Sequence, residues 1–377
     1  MTYDLFIFAG EPSGDLHGEK LLEALYKQNP NLKVKGVGGP KMRAQGMECF
    51  MPMEEFEVMG FVDVLSSLPK LIRHFRTIKN EILNSKPKGV VCIDYPGFNL
   101  RLARALKQKG SEAKRIHYIC PTVWAWGKRR IPQMERCLDS LLTILPFEVD
   151  MFSRNQMDVS YVGHPLIKRI QSHEYNRLWK APYGIPDHQQ ILSIFPGSRE
   201  KEILRNFPLQ IKVAKRIQKE NPDLLIAVSC SDEKFHPLLK EAPFIIDSKD
   251  SYELMRGSHF AIATSGTITL ELALHHIPTV VTYSIASFDL FIAQTLFRID
   301  LPHYALPNII GKHEIFPELF GPHFTEDNLF KKGMEFLLSQ YKRSACTDAC
   351  QVLKKLLGEK DASHETAHTI LNTISSD

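Results

Sequence analysis

Apolar residues fall along this chain in short unbroken runs, separated by stretches with helical spacing. Leu5 to Ala9 is wholly apolar and ends in Gly10-Glu-Pro-Ser-Gly-Asp15, after which Leu16, Leu21, Leu22 and Leu25 recur as on one face of a helix. That succession predicts strand, turn and helix. Val34-Lys-Gly-Val37 is a weaker, mixed strand candidate, Gly89 to Ile93 and Ile116 to Ile119 are of the buried type, and Leu141 to Leu145 closes the first set. Strands that are apolar on both faces belong in a parallel sheet covered by helices on each side.

A polar stretch from Gly163-His-Pro165 to Gln190, with Pro182, Gly184 and Pro186, reads as an interdomain linker. A second series follows: Ile191 to Phe195, Leu224 to Val228, Phe244 to Ile246, Phe260 to Ala263 and Thr279 to Val281. From about Asp327 the pattern is helical, with no further strand. The fold class predicted is α/β: two Rossmann-like, doubly wound parallel sheets whose strand C-termini face a cleft.

A chain of 377 residues is long for one core and favours two domains. With 44% hydrophobic and 24% charged residues it is neither disordered nor fibrous. Lys and Arg number 47 against 43 Asp and Glu, and the resulting +4 is too slight to imply nucleic acid. The 7 cysteines are scattered and without close pairs apart from Cys346 and Cys350, which fits a reduced cytosol. Met1-Thr-Tyr-Asp-Leu-Phe-Ile-Phe-Ala has no basic start and too short an apolar run for a signal peptide, and no run approaches the roughly 20 apolar residues that span a bilayer. The expectation is a chain neither exported nor integral to a membrane, yet free to lie on one.

Pro196-Gly-Ser-Arg199 follows a strand and runs into a helical pattern from Glu200. Its small residues admit close backbone approach, the helix start offers N–H groups to an anion, and the Arg199 fork suits phosphate; an ordinary Ser-capped helix looks the same. Ala263-Thr-Ser-Gly-Thr267 repeats the arrangement, and Glu271, one turn on, either accepts the ribose hydroxyls of a nucleotide or forms a surface ion pair. Two phosphate-type turns and an acid on one sheet read as a nucleotide-diphosphate site. Gly10-Glu-Pro-Ser-Gly-Asp15 matches neither G-x-G-x-x-G nor Gly-Lys-Ser/Thr, which removes the usual support for hydride transfer and P-loop chemistry. It suits the hydroxyl or phosphate groups of an acceptor.

Asp94 ends an apolar strand in Ile93-Asp-Tyr-Pro-Gly-Phe-Asn99, where partial shielding would tune a carboxylate as a general base and where Asp is also a common turn-former. Pro121-Thr-Val-Trp-Ala-Trp-Gly127 offers indoles for a sugar ring or for core packing, and Lys128-Arg-Arg130 an anion contact or a solvated face. Between Gly60 and Leu83, Phe61, Val64, Leu65, Leu68, Leu71, Ile72, Phe75, Ile78 and Ile82 keep helical spacing among Lys70, Arg73, Arg76 and Lys79, with Pro69 expected to divide the segment into two helices. Such a basic amphipathic stretch, preceded by Met47, Met51, Met53 and Met59, suits an anionic membrane surface or acyl chains, and equally a domain helix with its stripe in the core. Ser287 to Phe297 raises the same pair of readings.

Taken together, these words resemble the lipid-A-disaccharide synthase family of glycosyltransferases. The resemblance rests on Ala9-Gly-Glu-Pro-Ser-Gly-Asp15, Val37-Gly-Gly-Pro40, Val58-Met-Gly60, Ile93 to Asn99, His117 to Trp126, Leu145-Pro-Phe-Glu148, Gly163-His-Pro165, Pro196 to Arg199, Ser265-Gly-Thr267 with Glu271, and Leu306-Pro-Asn308, in the family's order. It implies the GT-B architecture, inversion at the anomeric carbon, and neither metal nor other cofactor. The donor implied is UDP-2,3-diacylglucosamine and the acceptor 2,3-diacylglucosamine 1-phosphate, giving UDP and a β-1,6-linked, tetra-acylated disaccharide 1-phosphate. Because each buried CH₂ holds an acyl chain in a bilayer by ~0.8 kcal/mol, the enzyme is expected in the cytoplasm, peripheral on the inner face of the inner membrane. No nucleic-acid partner is expected, and a homodimer is left open.

By the same resemblance Asp94 is the catalytic base, and Gly197, Ser198, Arg199, Ser265, Gly266, Thr267, Glu271 and Asn308 surround the nucleotide sugar. Glu11, Ser13, Gly14, Asp15, Asn99, Trp124 and Arg129 fall to the acceptor, and Met59, Phe61, Val64, Leu68, Leu71, Ile72 and Phe75 to the membrane or acyl chains. Residues 1–168 form the acceptor and membrane-facing domain, 187–345 the UDP-sugar domain, and 346–377 terminal helices free to pack back on the first domain. Where many relatives read Pro-Glu-Leu-Leu-Gln, this chain has Pro317-Glu-Leu-Phe-Gly321, so a Gln contact to the nucleotide is missing or replaced. A UDP-N-acetylglucosamine 2-epimerase shares the architecture and nucleotide but fits the ordered words less well. A catalytically inactive, membrane-associated nucleotide-sugar-binding protein is disfavoured by the presence of both Asp94 and Arg199.

Overall fold

Leu5–Ala9 forms strand β1 with all five residues buried, as its unbroken apolar run predicts. The computed structural model describes residues 3–56, 61–152, 157–285 and 301–375, the side chains of residues 61–67 and 126 excepted. It divides into two units, Met1–Lys168 with Glu359–Asp377, and Arg169–Gly358.

In the first unit β1 is joined by β2 (Val34–Gly38), β3 (Glu48–Pro52), β4 (Gly89–Ile93), β5 (Lys114–Tyr118), β6 (Ser140–Thr143) and β7 (Asp158–Tyr161). They pair in parallel in the order β3-β2-β1-β4-β5-β6-β7. Alternate residues of β1 fill opposite cores. Leu5, Ile7 and Ala9 share a cluster with Leu21, Leu22 and Leu25 of the helix Pro12–Gln28 and with Ala367 and Ile370 of the helix Ala362–Ser375. Phe6 and Phe8 cluster instead with Ile78, Ile82, Leu102 and Leu106 from the helices Phe61–Ser85 and Pro96–Gln108. Each large side chain so buried stabilises the unit by about 1.5–3 kcal/mol.

The segment expected to break at Pro69 is one continuous helix, Phe61–Ser85, with Pro69 inside it. Proline removes a single backbone hydrogen bond there, while Ile78 and Ile82 anchor the later turns in the core.

The second unit holds β8 (Gln190–Phe195), β9 (Leu224–Cys230), β10 (Phe244–Asp247), β11 (Phe260–Thr264), β12 (Thr279–Tyr283) and β13 (Glu318–Phe320), all parallel, in the order β10-β9-β8-β11-β12-β13. The stretch read as a linker lies against this unit: Trp179 is buried beside Gly257, and the Tyr183 hydroxyl donates to Asp250 across 2.7 Å. Its aromatic residues give it a packing surface that a polar average conceals. The helices Glu326–Leu338 and Gln340–Leu357 also belong to the second unit. Among the described residues no helix is long and apolar enough to cross a membrane.

Strand order reverses beside β1 and β4 in the first sheet and beside β8 and β11 in the second. At such switch points the loops after neighbouring strands part, leaving a crevice at the carboxyl edge of the sheet. Those four loops carry the Gly10–Asp15, Asp94–Asn99, Pro196–Arg199 and Ser265–Thr267 words.

Candidate active site

At the first switch point Asp94 and Tyr95 both hold left-handed backbone, with φ of 48° and 47°. Two consecutive non-glycine residues in that region cost energy that the surroundings must offset. They do so by hydrogen bonding: the Asp94 N–H donates to the Tyr118 carbonyl across 3.0 Å, and the buried Asn99 amide donates to the Asp94 carbonyl. Asn99, expected to touch an acceptor, therefore holds the Asp94 turn. The Asp94 carboxyl is half-buried, and burial raises its pKa against the opposing pull of the Tyr95 N–H. Glu11, at the start of the helix Pro12–Gln28, is likewise pushed up by burial and then by the charge of Asp94. The charge of Asp94 thus disfavours ionisation of Glu11 on the adjoining loop.

Ser13 is exposed beside Glu11, and Gly14 is buried where an added Cβ would lie 3.3 Å from that of Ala9. Asp15 departs from its expected role. Its buried carboxylate accepts from the N–H groups of Gly39, Lys41 and Met42 at 2.8, 3.1 and 3.1 Å, so it caps the helix Pro40–Ala44. Trp124 is half-buried after β5, its ring edge-on to Phe147, while Arg129 is exposed.

In the second unit Gly197 sits at φ +122°, a conformation that other residues rarely adopt, and Arg199 caps the helix Glu200–Glu220 in extended backbone. The turn is held from below: the Thr264 hydroxyl donates to the Pro196 carbonyl across 2.8 Å, and the buried Gln210 amide donates to Thr264 and Thr282. Ser265 is half-buried and its N–H continues the ladder to Thr282, while Gly266 and Thr267 are exposed at the start of the helix Thr267–Leu274. Glu271 lies on that helix, half-buried, accepting from the Tyr252 hydroxyl across 3.2 Å. Burial raises its pKa, and Arg169 and Tyr252 draw it back.

Asn308 is placed differently from expectation. It is fully buried, its amide donates to the Phe316 carbonyl and the Glu318 carboxylate, and its oxygen accepts from the N–H groups of Ile315 and Phe316. All four of its hydrogen-bonding positions are spent within the unit, so it shapes the chain before β13.

The family model described as lipid-A-disaccharide synthetase matches residues 5–371. The chain belongs to the lipid-A-disaccharide synthetase family. The lipid-A-disaccharide synthase of Geobacter sulfurreducens is 31% identical over 379 residues, 99% of this chain and 98% of that one. That of Chlamydia trachomatis serovar D is 40% identical over 323 residues, 84% of this chain but 53% of the relative. The chain thus spans about half the length of the chlamydial relatives it matches. Among solved structures, the UDP-GlcNAc 2-epimerase of Neisseria meningitidis bound to UDP-GlcNAc has a TM-score of 0.60 at 9% identity, covering 98% of each chain. CalG4, the calicheamicin glycosyltransferase, has a TM-score of 0.61 at 10% identity, covering 100% of this chain and 99% of that one. These likenesses place the two Rossmann-like sheets in the GT-B fold.

In this member of the lipid-A-disaccharide synthetase family the residues assigned to membrane and acyl chains separate. Leu71 and Phe75 pack on the first unit's core, whereas Leu68 and Ile72 are 46% and 44% exposed, among the exposed Lys70, Arg73 and Arg76. Met59 and the side chains of Phe61 and Val64 lie outside the described residues, as does the stretch from Ser287 to Phe297. Three residues escaped the sequence reading. Glu148 is buried after β6, accepting from the Trp124 indole and the Leu145 N–H; Tyr252 meets Glu271; and Glu202 closes on the Pro196–Arg199 turn. Glu148 stood in a quoted word and Glu202 three positions from Arg199, yet only folding shows what each carboxylate faces.

Proposed function

We propose that the chain is an inverting glycosyltransferase that joins UDP-2,3-diacylglucosamine to 2,3-diacylglucosamine 1-phosphate, without a metal, in lipid A biosynthesis. The observation that carries the reading is Asp94: a half-buried carboxyl with a raised pKa, held by a strained, hydrogen-bonded turn at the carboxyl edge of β4. In this reading Asp94 takes the proton of the acceptor 6-hydroxyl as its oxygen attacks the anomeric carbon, and the donor's bond to the UDP β-phosphate breaks with its electron pair. Arg199, 82% exposed on its side chain, and the N–H groups of the Pro196–Arg199 and Ser265–Thr267 turns would spread the charge on departing UDP. Glu271 would accept from the ribose. Exposed Leu68 and Ile72 among basic residues suit approach to the inner membrane face, where acylated substrates reside.

The test is a mixed-micelle assay in EDTA that follows UDP and lipid products with and without acceptor. Acceptor-dependent UDP release with a β-linked disaccharide product is expected. Release without acceptor, or UDP binding with no turnover, would overturn the proposal and favour an epimerase-like or inactive protein.

A further inference from the structure

We propose that Glu202 is a built-in stand-in for phosphate: its carboxylate occupies the anion seat of the Pro196–Arg199 turn and withdraws when a nucleoside diphosphate enters. This deepens the nucleotide reading of that turn given above and rests on it. Two groups that suit a phosphate there, a turn N–H and the Arg199 fork, are engaged by this one side chain. The Ser198 N–H donates to Glu202 Oε2 across 3.2 Å, and Arg199 Nη1 meets Glu202 Oε1 at the same separation. Gly197 makes room for it, since a Cβ at that position would come within 2.9 Å of the Glu202 Cβ and 3.0 Å of its Oε2.

The carboxylate is poised to exchange. It stands in the first turn of the helix Glu200–Glu220 with its side chain 21% exposed, so it can rotate toward water without disturbing the core. A resident single charge also sets a threshold. A singly charged anion gains little by displacing it, whereas a diphosphate brings more charge and more acceptor oxygens to the same donors. Glu202 thereby becomes a specificity-determining residue that favours nucleoside diphosphates over monophosphates and small anions.

Calorimetric titration of the full chain with UDP, UMP and uridine tests this. Glu202→Gln keeps the shape but loses the charge, and should lower the Kd for UDP by about tenfold, narrow the gap between UDP and UMP, and leave uridine unchanged. Glu202→Asp, too short to reach the Ser198 N–H, should tighten UDP in the same sense and serves if the first variant does not fold. UDP that binds the wild-type chain but binds the variants no more tightly overturns the inference while the nucleotide reading stands. UDP that binds none of the three removes both.

Discussion

The indole N–H of Trp124 donates to the buried carboxyl of Glu148 across 3.2 Å, tying the loop after β5 to the turn after β6. Burial lifts the Glu148 pKa from the usual 4.5 to about 8. Between those values the unfolded chain ionises this group while the folded chain keeps it protonated, so its contribution to stability falls as pH rises across that window. Glu148→Gln lacks this dependence. Its melting temperature relative to wild type should rise by several degrees or more between pH 5 and pH 8.5, measured by circular dichroism. Parallel pH profiles for the two chains would refute it.

Asp94→Ala should reduce turnover by about a thousandfold while UDP affinity stays within about twofold, as expected for a group that serves as base and takes no part in holding the nucleotide. Because its pKa is raised, the wild-type rate should fall at an acid limb lying above the ordinary carboxylate range. Near-normal turnover of the variant removes Asp94 from the mechanism.

Asn308→Ala should destabilise the second unit by about 3 kcal/mol in urea unfolding, because two backbone N–H groups, a carbonyl and the Glu318 carboxylate all lose a partner. A variant of normal stability that had lost only nucleotide affinity would contradict this placement.

The contrast between Asn308 and Arg199 shows what a linear reading carries. Both stood in quoted words, but a motif does not reveal whether a side chain faces its own backbone or water. Strands β1 and β4 were legible because buried parallel strands are apolar at every position. The edge strands β3, β7 and β13 were not: Glu48, Asp158 and Glu318 sit at their starts, and residues such as Glu48 and Cys49 face solvent. Pro69 misled because a local rule for helix breaking was outweighed by tertiary anchoring further along the same helix. The four carboxyl-edge loops emerged correctly, since glycine, proline and hydroxyl residues cluster where strands must turn.

Gly197→Ala should weaken UDP binding at least tenfold and leave far-UV circular dichroism unchanged, since φ of +122° and the 2.9 Å approach to Glu202 both exclude a side chain. Unaltered UDP affinity would mean that the turn relaxes freely.

Lys312 follows the helix Leu306–Gly311 in left-handed backbone, φ 59°. Lys312→Gly should stabilise the chain by about 0.5–1 kcal/mol by removing that penalty, read as a higher urea midpoint. A lower midpoint would show that the lysine side chain contributes more than its backbone costs.

The packing of Ala367 and Ile370 against Leu5, Ile7 and Leu21 has a consequence for biosynthesis. A ribosome makes β1 before the second unit and the helix Ala362–Ser375 after it, so one layer over the opening sheet is missing until that helix has emerged. The strands of the first unit must therefore wait, with an apolar face uncovered, while the whole second unit is made. How long it depends on chaperones is set by the elongation rate through residues 169–358 rather than by its own folding speed.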